Sequence, residues 1–169
     1  MTFPHPNNPY EESVLRNVRE SGWHFTHVFG DDDGPSCSYS VGLVASYSHP
    51  EIILCGLSQE AAHGLVDLIA SRAADRNPID LSIPSHDIVQ GYPCVFVEVT
   101  RKNREEYALS NCWLYGSSDF LMYQLVWRSR QGVFPWHPDA SESFRWSQPV
   151  LGDVGGGAKQ FEAEDSPRP

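Results

Sequence analysis

The sequence predicts an α+β fold: a twisted, mainly antiparallel sheet with one or two helices packed on it, in a single domain. Three observations predict it. Runs of period-two alternation recur, most clearly from Cys37 to Leu43 and from Cys94 to Thr100. Apolar residues fall at helical spacing in two stretches, at Val14, Leu15 and Val18 and again from Ala62 to Ala73. The chain of 169 residues is 40% hydrophobic and 12% aromatic, enough to bury one core without staples.

Taken in order, the first helix begins near Asn8. Asn8 is a good N-cap, Pro9 suits the first helical position, and Glu11 stands where a capping-box acid would. Gly22 ends this helix. Trp23 to Phe29 reads as a strand, and Asp31-Asp32-Asp33-Gly34-Pro35 as a turn. In the strand from Cys37 to Leu43, Cys37, Tyr39, Val41 and Leu43 share one face, while Ser38, Ser40 and Gly42 make the other unusually small. Either a neighbouring element packs closely on that small face or a ligand does, and close packing is the simpler reading.

Glu51 to Leu57 is a continuous apolar run, the pattern of a fully buried strand. Ser58 caps a second helix, which Asn77-Pro78 stops. This helix, 58–76, is expected on one face of the sheet with the N-terminal helix beside it. Residues 78–93 read as a long irregular connection, and Arg101-Lys102-Asn103-Arg104 as a solvated strand end. The stretch from Cys112 to Trp136 is rich in aromatic residues; Gln131-Gly132 marks a turn, and Phe120 to Trp127 fits a helix or a strand equally. The reading divides the chain into an N-terminal extension at 1–9, the α+β domain at 10–151 and a disordered acidic tail at 152–169.

Composition narrows the function classes. With 22 acidic against 12 basic residues, the net charge of -10 disfavours nucleic acid and anionic membrane surfaces as partners. No run reaches the roughly 20 apolar residues of a spanning helix, and the N-terminus lacks the features of a signal peptide. Cys37, Cys55, Cys94 and Cys112 show no C-x-x-C spacing, so reduced thiols in a soluble, cytoplasmic protein are expected and a disulfide framework is not.

The candidate chemistry centres on histidine. His24, His27, His49 and Glu51 could offer metal ligands, but neither H-x-H nor H-x-x-x-H spacing occurs, so no metal site is expected. His49 and Glu51 stand two apart at the start of a buried strand and would share a face, as a base and its orienting acid; the alternative is a turn that merely fixes the strand. His24 is the third candidate polar group. The cysteines read as inert. G-x-S-x-G, G-x-G-x-x-G and the phosphate-loop pattern are all absent, so any enzyme activity is expected to be acid–base chemistry without a nucleotide cofactor. Tyr39 and Ser40 beside the small strand face, with Trp113, Trp127 and Trp136 as stacking walls, are the candidate ligand-binding residues.

Several short motifs, in this order, have a familiar ring: Gly22-Trp23-His24, Ser38-Tyr39-Ser40-Val41-Gly42-Leu43, His49-Pro50-Glu51-Ile52, Cys55-Gly56-Leu57, Gly91-Tyr92-Pro93, Gln124-Leu125-Val126-Trp127, Gly132-Val133-Phe134-Pro135-Trp136 and Gln148-Pro149-Val150-Leu151. As an ordered set over about residues 10–151, they resemble the bacterial family called domain of unknown function 4262. The resemblance implies a stand-alone bacterial protein and implies no activity. The chain departs from the family pattern at Trp127-Arg128-Ser129, where Trp-Pro-Asp is usual, and at His137, where an acid is usual. The resemblance therefore gives neither Arg128 nor His137 a family-wide role.

Three functional readings follow. The first is a small-molecule-binding protein or small accessory enzyme with a pocket lined by His, Glu and Trp. The second is an acidic interaction module, immunity-like, that meets a basic protein partner. The third is a flavin-binding barrel, suggested by small-residue strands beside aromatic segments.

Overall fold

Helix α1, Pro9–Ser21, forms for the reasons its sequence gives. The Asn8 side chain accepts from the Glu11 amide, Pro9 occupies the first turn, and Gly22 closes the helix at φ 83°. In the computed structural model, which describes residues 2–89 and 92–155, the elements that follow are β1 (His24–Val28), β2 (Cys37–Val41), α2 (Leu43–Tyr47), β3 (Glu51–Cys55) and α3 (Gln59–Ala74). Then come β4 (Cys94–Glu98), α4 (Arg101–Tyr107), α5 (Leu109–Tyr115), β5 (Met122–Trp127) and α6 (Glu142–Ser147). Residues expected in the tail from 156 onward lie outside the described residues, whereas Gly152 makes an antiparallel bridge to Val99.

The sheet order is β1-β2-β3-β5-β4. The β1–β2, β2–β3 and β4–β5 pairs are antiparallel and β3–β5 is parallel, so the fold is α+β and mainly antiparallel as predicted. The sheet is open, with β1 and β4 as its edges, and the barrel that the flavin reading needs does not form.

The two long helices do not lie side by side. Val14, Leu15 and Val18 of α1 pack with Tyr39, Val41, Ile53, Met122 and Leu114, whereas Ala62 and Val66 of α3 pack with Leu54 and Leu125. Successive strand residues face opposite ways, so α1 and α3 cover opposite faces, contrary to expectation. Both faces of the central strands are thereby buried, and β2 and β3 are buried at every position. The helix α3 packs against β2 on the side of its small residues, so close packing accounts for the small face. Full burial of residues such as Val41, Ile52 and Leu125 contributes about 1.5–3 kcal/mol each.

Three further expectations are corrected. Arg101–Arg104 opens helix α4 rather than ending a strand, because the Thr100 hydroxyl caps the Asn103 amide and Arg101 pairs with Glu105 one turn on. Leu43 starts α2 instead of closing β2: Gly42 takes φ 109°, and an added Cβ there would meet Val18 at 2.8 Å, so only glycine turns the chain this tightly. Cys37 and Cys55, expected as free thiols, are register partners across β2 and β3 and form a disulfide. Their pairing is set by strand register, which no cysteine spacing reveals. Cys94 and Cys112 stay free.

The ambiguous Phe120–Trp127 segment resolves as strand β5 in the interior of the sheet. Its Gln124 amide donates to the Pro149 carbonyl and accepts from the Leu151 amide, both at 2.7 Å. Reciprocally, the Gln148 amide accepts from the Trp127 N–H and donates to the Trp127 carbonyl. These two buried side chains fasten residues 148–151 to β5 with four hydrogen bonds. No helix of the described residues is long and apolar enough to cross a membrane.

Candidate functional site

Two buried ionisable groups flank the entry to β3, and the structure treats them differently. Glu51 is wholly buried at the first position of the strand. Its Oε2 accepts from the Ser40 hydroxyl at 2.5 Å, and Ser40 Oγ in turn accepts from the Ile52 amide at 2.9 Å. Its Oε1 accepts from the Gly42 amide at 2.9 Å, from the Val44 amide at 3.2 Å and from the Tyr115 hydroxyl. Burial pushes this carboxyl up to about 7, and the four donors oppose that rise without cancelling it. Burial, reinforced by the neighbouring Glu51 charge, also drives the Tyr115 phenol far above its ordinary value. Glu51 thus ties the start of α2 to β3 and α5.

His49 is 4% exposed. Its Nδ1 lies 2.6 Å from the Pro50 carbonyl oxygen, which can only accept, so Nδ1 carries the hydrogen. Burial lowers the imidazole pKa, with the Pro50 carbonyl pulling weakly the other way. The ring is therefore neutral, and Nε2 presents a lone pair. That atom is buried and has no hydrogen-bond partner among the described residues. A neutral imidazole with its far side held by a carbonyl is oriented to accept a hydrogen bond or take a proton.

His49 lines a cleft of about 560 Å³. Tyr47, Ser48 and Pro50 form one side of it; the others are built from the end of α3 and the segment after it, including Arg76, Ile79, Asp80 and Leu81, and from Leu121 and Tyr123 at the start of β5. Ser48, at φ 55°, and Arg76, at φ 58°, are the two non-glycine residues with positive φ among the described residues, and both line this cleft. Each sits where a helix ends: the Ser48 amide bonds back to Leu43 and Val44, and the Arg76 amide to Ala73. Glycine usually fills such positions, and a side chain there costs about 1 kcal/mol.

The other candidates are dispersed. His49 and Glu51 are not hydrogen-bonded to each other: the Glu51 oxygens meet the four donors named above, and His49 Nδ1 meets the Pro50 carbonyl. Ser40 belongs to the Glu51 cluster. His24 lies on edge strand β1, where its Nδ1 accepts from the Asn17 amide at 2.8 Å; burial lowers its pKa. Tyr39 is buried under α5, its hydroxyl 3.1 Å from Ser110 Oγ, which also meets Tyr10. Trp113 packs on the core beneath α1, and Trp136 stacks on Phe134 with centroids 4.6 Å apart. Trp127 lines a second cleft, of about 490 Å³, with Leu57, Leu65, Tyr92 and Phe144.

Of the eight residues singled out in the sequence, only His49 reaches the first cleft. Sequence reasoning missed Tyr47, Arg76, Asp80 and Tyr123. No local pattern marks Arg76; the Asn77-Pro78 helix stop was the one signal that the chain turns there. Among the described residues, no group of three or more His, Cys, Asp or Glu side chains is placed to hold a metal ion. The Cys94 thiol, pushed up to about 11 by burial, is a poor nucleophile.

The fold and site define an α+β domain with an open, two-sided sheet and a buried neutral imidazole beside a cleft. The chain belongs to the family described as domain of unknown function (DUF4262), whose model matches residues 17–141. No curated protein and no solved structure matches it.

Proposed function

We propose that this domain binds a small organic molecule in the His49 cleft, with the imidazole Nε2 accepting a hydrogen bond from it. One observation carries the reading: His49, whose buried, tautomerically fixed acceptor has no partner among the described residues, lines a cleft whose volume lies within the roughly 300–1,000 Å³ usual for ligand sites. A buried acceptor left unmade costs about 1–3 kcal/mol, which a ligand donor recovers. The two strained helix ends support the same place, since backbone strain clusters at ligand clamps. Because Nε2 is covered, contact requires the wall to shift. Residues 77–84 carry neither helix nor strand and supply part of that wall.

The test is a fragment screen by NMR on the full chain, reading the His49 ring nitrogens and the Tyr123 ring. Binders should move the Nε2 resonance and leave Nδ1 protonated. His49→Phe should abolish the ligand-induced shift of the Tyr123 ring while leaving the fold intact. If no fragment perturbs His49 or Tyr123, the cleft is not a ligand site.

A further inference from the structure

We infer that the molecule this cleft takes is a small organic monoanion, a carboxylate, with a hydroxyl or N–H donor at the end remote from its charge. The inference rests on the reading of the cleft as a ligand site and adds the ligand's chemical class.

The charge assignment comes from Arg76. It is the arginine of the lining and is exposed. No carboxylate oxygen lies within 4.0 Å of its guanidinium among the described residues. A guanidinium offers a planar fork of donors that matches a carboxylate. Its position is set by the backbone: the Arg76 amide bonds to Ala73, and the Asn77 amide bonds to Arg72, so the turn that carries it is fixed at both sides.

Asp80 limits the charge to one. It also lines the cleft, and its Oδ1 accepts from the Ser82 amide at 2.9 Å and the Ser82 hydroxyl at 2.6 Å. These bonds favour its carboxylate form beside the cleft, where the second charge of a dianion would be repelled. The other polar contact is assigned to His49, whose Nε2 can only accept. Between the two polar ends the walls are Ile79, Leu81, Leu121 and the ring of Tyr123, which suits an aromatic or branched aliphatic body.

The experiment titrates the full chain with 4-hydroxyphenylacetate, following the His49 and Tyr123 resonances. Three comparators are phenylacetate, which lacks the donor; 4-(2-aminoethyl)phenol, which reverses the charge; and 4-hydroxyphenyl phosphate, a dianion. We expect the hydroxy acid to bind on the order of tenfold more tightly than each comparator. Arg76→Asn, which keeps a residue tolerant of positive φ, should weaken the hydroxy acid on the order of tenfold and leave the amine unchanged. An amine or phosphate that binds as tightly as the acid overturns the inference, as does an Arg76→Asn variant that binds the acid like the parent. Silence from all four compounds, while neutral fragments still move His49, also overturns it and leaves the cleft reading standing. Silence from every fragment overturns both.

Discussion

Glu51 and His49 stand two residues apart, and both are buried, yet one is fully answered by its surroundings and the other is not. The Glu51 carboxyl meets two hydroxyls and two backbone amides, contributed by β2, α2 and the end of α5. The His49 imidazole meets one backbone carbonyl and keeps a free lone pair. A complete shell defines a structural group, because every bond it makes fixes chain to chain. An incomplete one is the feature on which the ligand reading of the cleft rests.

The largest way to break the contrast is Glu51→Ala. It leaves the Gly42 and Val44 amides and the Ser40 and Tyr115 hydroxyls without their acceptor, and should cost about 3–4 kcal/mol at pH 5, read by denaturant unfolding. A loss below about 1 kcal/mol would mean the cluster is not structural.

Next in size is the pH dependence of Glu51. Its carboxyl moves from an ordinary value of 4.5 to about 7 in the folded chain. Between those values the folded protein keeps a proton that the unfolded chain releases. Its contribution is therefore fully present below about pH 4.5 and is lost as pH rises to about 7, by roughly 3 kcal/mol. Glu51→Gln should flatten that slope in unfolding curves taken from pH 4.5 to 8; an unchanged slope would assign it elsewhere.

His49 should act with the opposite sign and more weakly. Its pKa is lowered from 6.5, so the unfolded chain takes up the extra proton and stability falls as pH drops below about 6.5. His49→Gln should remove this acid-side loss and stay within about 1 kcal/mol of the parent at pH 8, since it breaks no closed shell. A larger loss at pH 8 would make His49 as structural as its neighbour.

The smallest effect is expected at Ser48. Replacing it with glycine relieves a positive φ but adds freedom to the unfolded chain, so Ser48→Gly should change stability by no more than about 0.5 kcal/mol. Looser ligand binding without loss of stability would show that the fixed turn serves the cleft.

The fold was legible where its cause is local. Asn8, Pro9 and Gly22 announced α1, the apolar spacing of Ala62, Val66 and Ile69 announced α3, and alternation announced β2 and β4. It was not legible where the cause is a distant contact. The disulfide depends on the register of β2 against β3, and the placement of α1 and α3 on opposite faces depends on how the chain crosses the sheet. The site followed the same rule. His49 stood out by its residue type, but the cleft exists only because α2, the end of α3 and the start of β5 converge. Glu51 stood out for the same reason as His49, and only its hydrogen bonds show that it secures α2. The family motifs around Gln124 and Gln148 read as separate signals, yet those two glutamines make the reciprocal bonds that hold the final segment to β5.

The parallel seam between β3 and β5 has a consequence for how this chain folds. All of residues 56–121 must be placed before Glu51 can meet Met122 and Ile53 can meet Gln124. On one side of the seam, β1, β2 and β3 follow one another closely in sequence and pair as antiparallel neighbours; on the other, β4 and β5 pair with two short helices between them. Closing the longest loop carries the largest entropic penalty, so the two halves are expected to form first and the middle of the sheet to join last. In pulsed hydrogen exchange, amides of β2 should gain protection before those along the β3–β5 seam. The interior of the finished sheet would then be its youngest part.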